Sequence, residues 1–397
     1  MKLKIIGLYI VVGVLRIIYF FIKLKARRSD RIVLICCEDD EPTQDIKDLA
    51  EALRSRGADV EVCAGRMRRS VKGAFAFTKV MLEQMRAIAS ARVVAIDAYA
   101  ASVSLLRRRK ETKVVQLWHA PEAIKKFSLQ IVGTPAGQRP GVAKALHMHE
   151  GYDAILCPSD ATRRFFEEAF GYPASAFVKL GLPSLDRVAA LREEGGPARA
   201  ELLARYPVLE GRKVIVYAPT FRDGRQVDVA GLVGAMREKI GYRPAHRVAL
   251  VLKLHPLDRK PSSWLTRTDA GEDPFVLCVD EEFPARQWFA LADAVITDYS
   301  GVIVEAAAFG LPVYGYLYDI NLYEKERGLN VDLRREAIGP YCMTDAGALA
   351  EQVLRDIREG TYAIACLRAF RNKYLEVPLS GNTERLADWL LAMEGEK

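Results

Sequence analysis

The stretch of sequence that most constrains the fold is residues 295–311, which read VITDYSGVIVEAAAFGL. A short apolar run passes into a polar turn at residues 297–301 and then into a small-residue helix predicted at residues 302–309, and a second apolar run follows at residues 313–317. This order predicts one βαβ unit, in which ligands bind at the carboxyl end of the first strand and the helix start favours an anion. The turn is therefore either a phosphate cradle, with Glu305 near a ribose, or an ordinary turn capped by Ser300.

The same alternation of apolar runs and helical segments extends over most of the chain. Continuous apolar runs occur, for example, at residues 31–37, 113–117, 213–217 and 248–252, and segments with helical spacing separate them. Such alternation is typical of α/β domains with a parallel sheet, and 397 residues are enough for two of them. The predicted divisions are residues 1–29 for an N-terminal hydrophobic helix, 30–184 and 185–375 for two α/β domains, and 376–397 for a C-terminal helix.

Polar side chains follow three of the predicted strands in the second domain. Because the carboxyl ends of parallel strands lie on one edge of a sheet, we expect these side chains to converge. Arg222 can bind two phosphate oxygens at once, Lys253 adds a point charge, and His255 can donate a hydrogen bond. We therefore predict that this edge holds a diphosphate-like group. The side chains concerned are Thr220 and Arg222 after the first strand, Lys253 and His255 after the second, and Thr297, Asp298 and Ser300 after the third.

The first domain offers a candidate base at the end of a strand. The strand predicted at residues 113–117 leads directly into Trp118 and His119, and a break follows at Ala120. Because the unperturbed pKa of histidine lies near neutrality, His119 is suited to act as a general base there. The alternative is a structural histidine that caps the next helix. Residues 128–145, rich in glycine, proline and small side chains, predict a mobile loop on the acceptor side.

The N-terminal segment is apolar from residue 5 to residue 22 except at Arg16, and basic residues flank it on both sides. With the heavier positive flank downstream, this predicts a membrane-spanning helix and a cytoplasmic location for the following domains. Arg16 weakens that prediction, because a charge near mid-membrane costs about 2.5–3.5 kcal/mol. A helix lying in the membrane interface and a packed soluble helix therefore stay as alternatives. The basic segment at residues 66–79 is either a second membrane contact or a solvated face.

Composition excludes some classes of partner. The formal net charge of +7 suits anionic ligands, but the sequence has neither zinc-finger spacing nor aromatic residues interleaved with basic ones, so we expect no nucleic-acid partner. The seven cysteines are scattered and form no C-x-x-C pair, which favours reduced core residues in a cytosolic protein over disulfides or a metal site.

In these residues the chain resembles the CDP-glycerol glycerophosphotransferase family, which comprises the teichoic-acid primases and polymerases. The resemblance extends from about residue 30 to residue 373 and rests on motifs that occur in a fixed order. The motifs are QLWHA (116–120), AIKKF (123–127), GLP (181–183), YAPTFRD (217–223), LKLHP (252–256), ADAVITDYSGV (292–302) and YDINLYEKERG (318–328).

The resemblance implies a GT-B-like fold, in which two Rossmann-type domains face a cleft. It implies transfer of an alditol phosphate, glycerol phosphate above all, from CDP-glycerol or CDP-ribitol to a hydroxyl of a lipid-linked acceptor at the cytoplasmic face of the cell membrane. His119 would deprotonate the acceptor, and His255 would act at the donor phosphates. No cofactor is required, since basic side chains and a helix start can neutralise the transferred charge; Mg²⁺ is compatible with such chemistry but not indicated. The implied substrate-binding residues are Trp118, Ala120, Pro219, Thr220, Arg222, Lys253, Thr297, Asp298, Ser300, Gly301 and Glu305.

Several positions depart from the family pattern. Residues 120–122 read Ala-Pro-Glu in place of a glycine-rich turn, Ser184 stands where an arginine is expected, and Gly301 replaces the second serine of a pair. Serine at position 184 cannot make the phosphate contact of the expected arginine. The donor headgroup, glycerol, ribitol or another group, is therefore left open by the sequence. Two other functions are alternatives: a sugar-nucleotide-dependent glycosyltransferase or epimerase of the GT-B type, with Glu305 on the ribose, and a non-catalytic membrane-bound assembly factor.

Overall fold

The computed structural model describes residues 2–37, 39–65, 71–222, 225–240, 248–255, 275–279 and 283–393, without the side chains of residues 2–4 and 71–77. The chain forms two compact units. The first unit combines Met1–Asp186 with Glu376–Lys397, and the second is Arg187–Leu375. Residues 66–70, which belong to the basic segment predicted to meet the membrane, lie outside the described residues.

The first unit is built around a six-stranded parallel sheet with the strand order β2-β1-β3-β4-β5-β6. β1 is buried along its whole length, as expected for a continuous apolar run with helices on both faces. The strands are β1 (Ile32–Cys36), β2 (Val60–Ala64), β3 (Val93–Ile96), β4 (Lys113–Gln116), β5 (Ala154–Cys157) and β6 (Phe177–Lys179). The helices are α1 (Lys2–Lys25), α2 (Gln44–Ser55), α3 (Val71–Ser90), α4 (Ala101–Ser104), α5 (Pro140–Ala145), α6 (Asp160–Phe170) and α7 (Pro183–Glu194), the last of which crosses the boundary between the units.

The segment at residues 128–145, predicted as a loop, contains regular structure. A 3₁₀ turn covers Ser128–Ile131, and α5 begins at Pro140. Proline at the first position of a helix has its backbone angle already set and loses no hydrogen bond, so the residue that signals a loop starts a helix here. This short helix contacts α1.

The second unit contains another six-stranded parallel sheet, with the order β12-β11-β10-β7-β8-β9. The first strand of this sheet in the chain, β7, lies beside the fourth, β10, which is the Rossmann arrangement, and ligands bind where the order reverses. The strands are β7 (Lys213–Tyr217), β8 (Val248–Leu252), β9 (Val276–Cys278), β10 (Ala294–Thr297), β11 (Val313–Tyr316) and β12 (Cys342–Met343). The helices are α8 (Gly196–Arg205), α9 (Val229–Ile240), α10 (Val302–Phe309), α11 (Ile320–Glu326), α12 (Ala346–Glu359) and α13 (Ile364–Tyr374).

The predicted βαβ unit is confirmed in β10, α10 and β11. α10 ends at Gly310, whose φ of 95° lies in the left-handed region that only glycine adopts without strain. The prediction of an α/β fold with two Rossmann-like sheets and an N-terminal apolar helix is also confirmed.

The last helix, α14 (Asn382–Ala392), packs against α2 and so belongs to the first unit. Leu386 and Leu390 are fully buried in the core of that unit. The carboxylate of Asp186 accepts hydrogen bonds from the backbone N–H groups of Asn382 and Thr383, at 2.8 and 2.7 Å. A negative charge at a helix start is stabilising, so Asp186 fixes the beginning of α14.

Candidate active site

The carboxyl ends of β7 and β10 are joined by Asp298, which is completely buried. One of its carboxylate oxygens accepts the backbone N–H of Thr220 at 2.8 Å, and the other accepts Nη2 of Arg222 at 2.8 Å. The hydroxyl of Thr297 donates to the carbonyl of Ala218 at 2.7 Å. The structure therefore brings together four residues that the sequence placed on one sheet edge, and Thr297 and Asp298 serve there to hold the β7 turn in place.

Arg222 has other partners than the phosphate predicted for it. Its Nε donates to Asp319 at 2.7 Å, its Nη2 reaches both Asp298 and Asp319, and its Nη1 donates to the carbonyl of Thr220 at 2.7 Å. The guanidinium also lies 5.3 and 4.7 Å from the ring centroids of Tyr299 and Tyr323 and is 2% exposed. Four of its five N–H groups are thus engaged within the protein. A direct contact of Arg222 with a phosphate stays a prediction, and the hydrogen bonds that Arg222 makes within the protein do not favour it.

The protonation of Arg222 is secured by its surroundings. Burial lowers the pKa of Arg222, but the hydrogen bond to Asp319 and the charge of Asp298 outweigh that effect, so its pKa lies above the usual value. Arg222 is therefore a permanent buried cation that ties β7, β10 and the start of α11 together.

The surface of this edge is formed by Ser300, Gly301, Lys253 and His255. Ser300 and Gly301 are half-buried and precede the first turn of α10, where the positive end of the helix dipole favours an anion. The N–H groups of Val302, Ile303 and Val304 donate to Ser300 and Gly301 within this turn. The backbone N–H of Lys253 donates to the carbonyl of Tyr217 at 2.9 Å, which fixes Lys253 directly beside the end of β7. The structure thus places a cationic side chain at the end of β8 and a helix start at the end of β10, the two strands that flank β7.

His255 is exposed, and its ring centroid lies 5.3 Å from that of Phe221 in the β7 turn. Pro219, in the same turn, is buried, and Thr220 is half-buried. All three predicted residues therefore belong to one edge of the second unit's sheet. Their roles at the donor phosphates stay predictions.

Glu305 lies one turn into α10, as predicted, but the structure gives it a partner that the sequence did not indicate. Its carboxylate accepts a hydrogen bond from Arg286 at 3.0 Å. Arg286 belongs to the 3₁₀ turn Ala285–Ala290, and no sequence pattern singles it out. An ion pair fixes the direction of Glu305, and its contact with a ribose stays a prediction.

Trp118, the residue directly before the candidate base His119, has an unusual backbone conformation. Its φ of 60° is left-handed, which is a real outlier for a bulky residue. The side chain of Gln116 holds it: Oε1 accepts the N–H of Trp118 at 2.9 Å, and Nε2 donates to the carbonyl of Ala98 at 3.1 Å. Gln116 is completely buried, and the sequence gives no sign that its side chain supports this turn. Backbone strain of this kind costs of order 1–3 kcal/mol and persists only where the surroundings enforce it.

The strained turn exposes His119 and directs one face of its ring onto Trp118, with 4.3 Å between the ring centroids. Its Nδ1 lies 3.4 Å from the carbonyl oxygen of Asp97 at the end of β3. Since a carbonyl oxygen only accepts hydrogen bonds, a ring proton on Nδ1 would donate to it and leave the lone pair on Nε2. This is the tautomer that a general base needs. Ala120 follows it in a half-buried position.

A second histidine lies behind this turn. His149 is 3% exposed, and its ring centroid lies 6.4 Å from that of Trp118 and 5.2 Å from that of Phe170. Burial lowers the pKa of His149 to about 4, so its ring is neutral near pH 7. Its Nδ1 lies 3.1 Å from the hydroxyl oxygen of Tyr152. His149 is a packing residue behind Trp118, and no pattern around it in the sequence indicates this role.

Within the part of the chain that the structure describes, no group of three or more His, Cys, Asp or Glu side chains is arranged to hold a metal ion. That the reaction requires no cofactor stays a prediction.

Two Rossmann-type units in one chain, one with a candidate base and one with a cationic sheet edge, define a GT-B-like transferase class. Residues 17–392 match the model of the CDP-Glycerol:Poly(glycerophosphate) glycerophosphotransferase family, and the chain belongs to that family. The resemblance inferred from the ordered motifs is thereby confirmed, and with it the classification as a transferase.

Relatives and solved structures agree with this membership. The chain is 28% identical over 372 residues to the teichoic acid ribitol-phosphate primase of Bacillus spizizenii, and the match covers 91% of each chain. It is 28% identical over 245 residues to the teichoic acid glycerol-phosphate primase of Bacillus subtilis, covering 60% of this chain and 59% of the relative. A histidine-to-asparagine variant of the wall teichoic acid polymerase TagF, soaked with CDPG, has the same fold: the TM-score is 0.68 at 19% identity, covering 98% of this chain and 96% of that one.

Proposed function

We propose that this protein transfers an alditol phosphate, glycerol phosphate or ribitol phosphate, from a CDP-alditol to a hydroxyl of a lipid-linked acceptor during synthesis of a teichoic-acid-like polymer. Membership of the glycerophosphotransferase family supports this, as do relatives that are named glycerol-phosphate and ribitol-phosphate primases. The observation that carries the proposal is the cationic edge of the second unit's sheet, where Lys253 and His255 follow β8 and the start of α10 follows β10, the strands on either side of β7.

Transfer of a phosphoryl group depends more on positioning and charge neutralisation than on covalent chemistry. Lys253 and the first turn of α10 would balance the charge of the donor diphosphate, and His255 would hydrogen-bond to an oxygen that gains charge as the CMP leaves. Arg222 acts through its neighbours as a positioning residue: it holds Asp298, and Asp298 holds the Thr220 N–H. Glu305, with its direction fixed by Arg286, would accept a hydrogen bond from a ribose hydroxyl.

His119 would accept the proton of the acceptor hydroxyl on Nε2. The contact of Nδ1 with the Asp97 carbonyl supports this, because it keeps the lone pair on the outer nitrogen. Deprotonation makes the acceptor oxygen a nucleophile toward the β-phosphorus of the donor. The new P–O bond forms as the bond to the CMP leaving group breaks, and the proton stays on His119.

The N-terminal apolar helix suggests association with a membrane. We place the catalytic units on the cytoplasmic face of the cell membrane, because nucleotide-activated donors occur in the cytoplasm. A lipid-linked acceptor would then present its hydroxyl to the enzyme from the membrane surface.

The test is a donor screen with the purified full-length protein and a lipid-linked disaccharide acceptor. We expect CMP release from CDP-glycerol or CDP-ribitol and no reaction with UDP-N-acetylglucosamine. Consumption of the UDP-sugar with both CDP-alditols untouched would refute the proposal and favour a sugar-nucleotide enzyme of the same fold.

Variants at the two histidines test the roles. His119→Ala and His255→Ala should each lower kcat at least about 100-fold, the usual effect of losing a base or a charge-stabilising group. The control is Lys239→Ala, at the exposed end of α9, which should leave kcat unchanged. If both histidine variants keep near-normal turnover, the assigned roles are wrong even where the donor specificity holds.

A further inference from the structure

We propose that Asp97 is a positioning residue for the candidate base: its buried carboxylate fixes the segment 97–99, directly after β3, and this segment holds the turn that carries His119. The proposal deepens the proposed function and rests on it, because it concerns the base of that reaction. Asp97 would act on the rate through His119 and not through a contact with the substrate.

The turn at His119 needs support from outside because its backbone is strained. Within the described residues, the non-glycine residues with left-handed φ all lie in one part of the first unit; they are Trp118, Ser128, His147 and His149. Trp118 directly precedes the base, and its backbone would return to an ordinary conformation if nothing held it. A base has to meet its proton at hydrogen-bond distance, and its ring moves with the backbone. The residues that hold this turn therefore affect the reaction rate.

Two successive carbonyl groups after β3 support the turn. The carbonyl oxygen of Asp97 lies 3.4 Å from Nδ1 of His119. The next carbonyl, that of Ala98, accepts Nε2 of Gln116 at 3.1 Å, and Oε1 of the same side chain accepts the N–H of Trp118 at 2.9 Å. One short piece of backbone thus contacts the base and the side chain that holds the residue before it.

Tyr99 extends this support to the packing behind the turn. Its ring centroid lies 5.7 Å from that of His149, and the ring of His149 in turn lies edge-on to that of Trp118. The hydroxyl of Tyr99 donates to the carbonyl of Leu146 at 2.6 Å. Burial raises the pKa of Tyr99, so this hydroxyl keeps the proton that it donates. Each residue of the segment 97–99 therefore has its own contact around the base.

The Asp97 carboxylate ties this segment to the end of β1. Asp97 is 3% exposed, and its Oδ1 accepts the backbone N–H of Cys37 at 2.9 Å. Its own N–H donates to the carbonyl of Ile35 at 3.3 Å. The Cys36 thiol interacts with the carboxylate as well: burial and a hydrogen bond with Asp97 raise the pKa of this thiol, so it stays protonated. Hydrogen bonds to an ionised acceptor are stronger than those between neutral groups, so the carboxylate is a firm anchor.

Variants at Asp97 test the proposal in CMP release from a CDP-alditol by the full-length protein. Asp97→Ala removes the acceptor for the Cys37 N–H, so kcat should fall more than tenfold while the donor KM changes less than twofold. Asp97→Asn keeps the size of the side chain and one acceptor oxygen, so it should lower kcat at least about threefold.

The matched control is Asp356→Asn. Asp356 is also a buried carboxylate, 4% exposed, but it lies in α12 of the second unit. Its replacement should lower the unfolding temperature and leave kcat unchanged, which separates a loss of stability from a loss of positioning. Parent-like kcat in either Asp97 variant, or a change confined to KM, would overturn the proposal.

Long-range ¹H–¹⁵N spectra of protein labelled with ¹⁵N-histidine test the positioning without turnover. The signals of His119 are identified by their loss in His119→Gln. Above pH 8, where the imidazole is neutral, the parent should carry the ring proton on Nδ1, and both Asp97 variants should shift part of it to Nε2, because the carbonyl is no longer held beside the ring. The same tautomer ratio in parent and variants would refute the proposal. If the parent releases CMP from no CDP-alditol, the proposed function fails, and the spectra still decide whether Asp97 positions the ring.

Discussion

Replacing Arg222 with methionine should destabilise the second unit far more than a surface substitution does. The variant keeps the length of the side chain but leaves the carboxylates of Asp298 and Asp319 without their cation, in places where they are 1% and 9% exposed. Removing one partner of a buried ion pair costs about 3–5 kcal/mol, because the remaining charge has neither water nor a counter-charge. Loss of the contacts of the guanidinium with the rings of Tyr299, Tyr318 and Tyr323 adds to this.

The measurement is the thermal unfolding of the full-length protein by calorimetry. For a unit of this size, 1 kcal/mol corresponds to about 2–4 °C, so the transition of the second unit should fall by roughly 6–20 °C. The control is Arg335→Met: Arg335 is 87% exposed and lies 3.5 Å from Asp332, and such pairs are worth about 0–1 kcal/mol. Asp319→Asn added to Arg222→Met should restore part of the loss, since it removes one of the stranded charges. A shift below about 2 °C for Arg222→Met, or no rescue by Asp319→Asn, would refute the reasoning.

Two further predictions concern the first unit. Burial lowers the pKa of His149 to about 4, so below pH 6.5 its ring binds more protons in the unfolded chain than in the folded one. The contribution of His149 to the free energy of unfolding is constant above pH 6.5 and falls by about 3 kcal/mol as the pH drops to 4. Urea unfolding of the parent and of His149→Gln over this range should show that the variant lacks this part of the decline; parallel curves would contradict it. Gln116→Met removes the hydrogen bond that holds the strained Trp118, so kcat should fall more than tenfold while the donor KM changes less than twofold. Gln44→Met, at an exposed position in the first turn of α2, is the control, and normal turnover of Gln116→Met would show that the His119 turn needs no such support.

Features that depend on neighbouring residues could be predicted from the sequence. Apolar runs bounded by polar turns located the strands, and α10 was predicted with the bounds that the structure has. Ser159, a residue type that commonly caps helices, directly precedes α6, and its hydroxyl accepts the N–H of Thr162 at 3.1 Å. The rule that parallel strand ends share an edge brought Thr220, Asp298 and Lys253 together correctly.

Features that depend on residues far apart in the chain could not be predicted. Arg222 and Asp319 are separated by 97 positions, and nothing in either segment indicates that they pair. From the sequence, an arginine beside a predicted phosphate site is therefore interpreted as a phosphate ligand. In the structure, Arg222 is buried and pairs with two carboxylates, so its role is structural. Gln116 poses the same difficulty, because a single polar residue at the end of a strand gives no sign of the backbone conformation it supports.

The short segment from His147 to His149 connects α1 with the turn that carries the candidate base. His147 contacts Arg16 of α1, and His149 lies against Trp118, next to His119. Both histidines have left-handed backbone angles, 46° and 61°, a conformation that persists only where the surroundings enforce it. A substitution that loosens the Arg16 contact would therefore reach the packing behind Trp118, although it changes no residue of the candidate site itself.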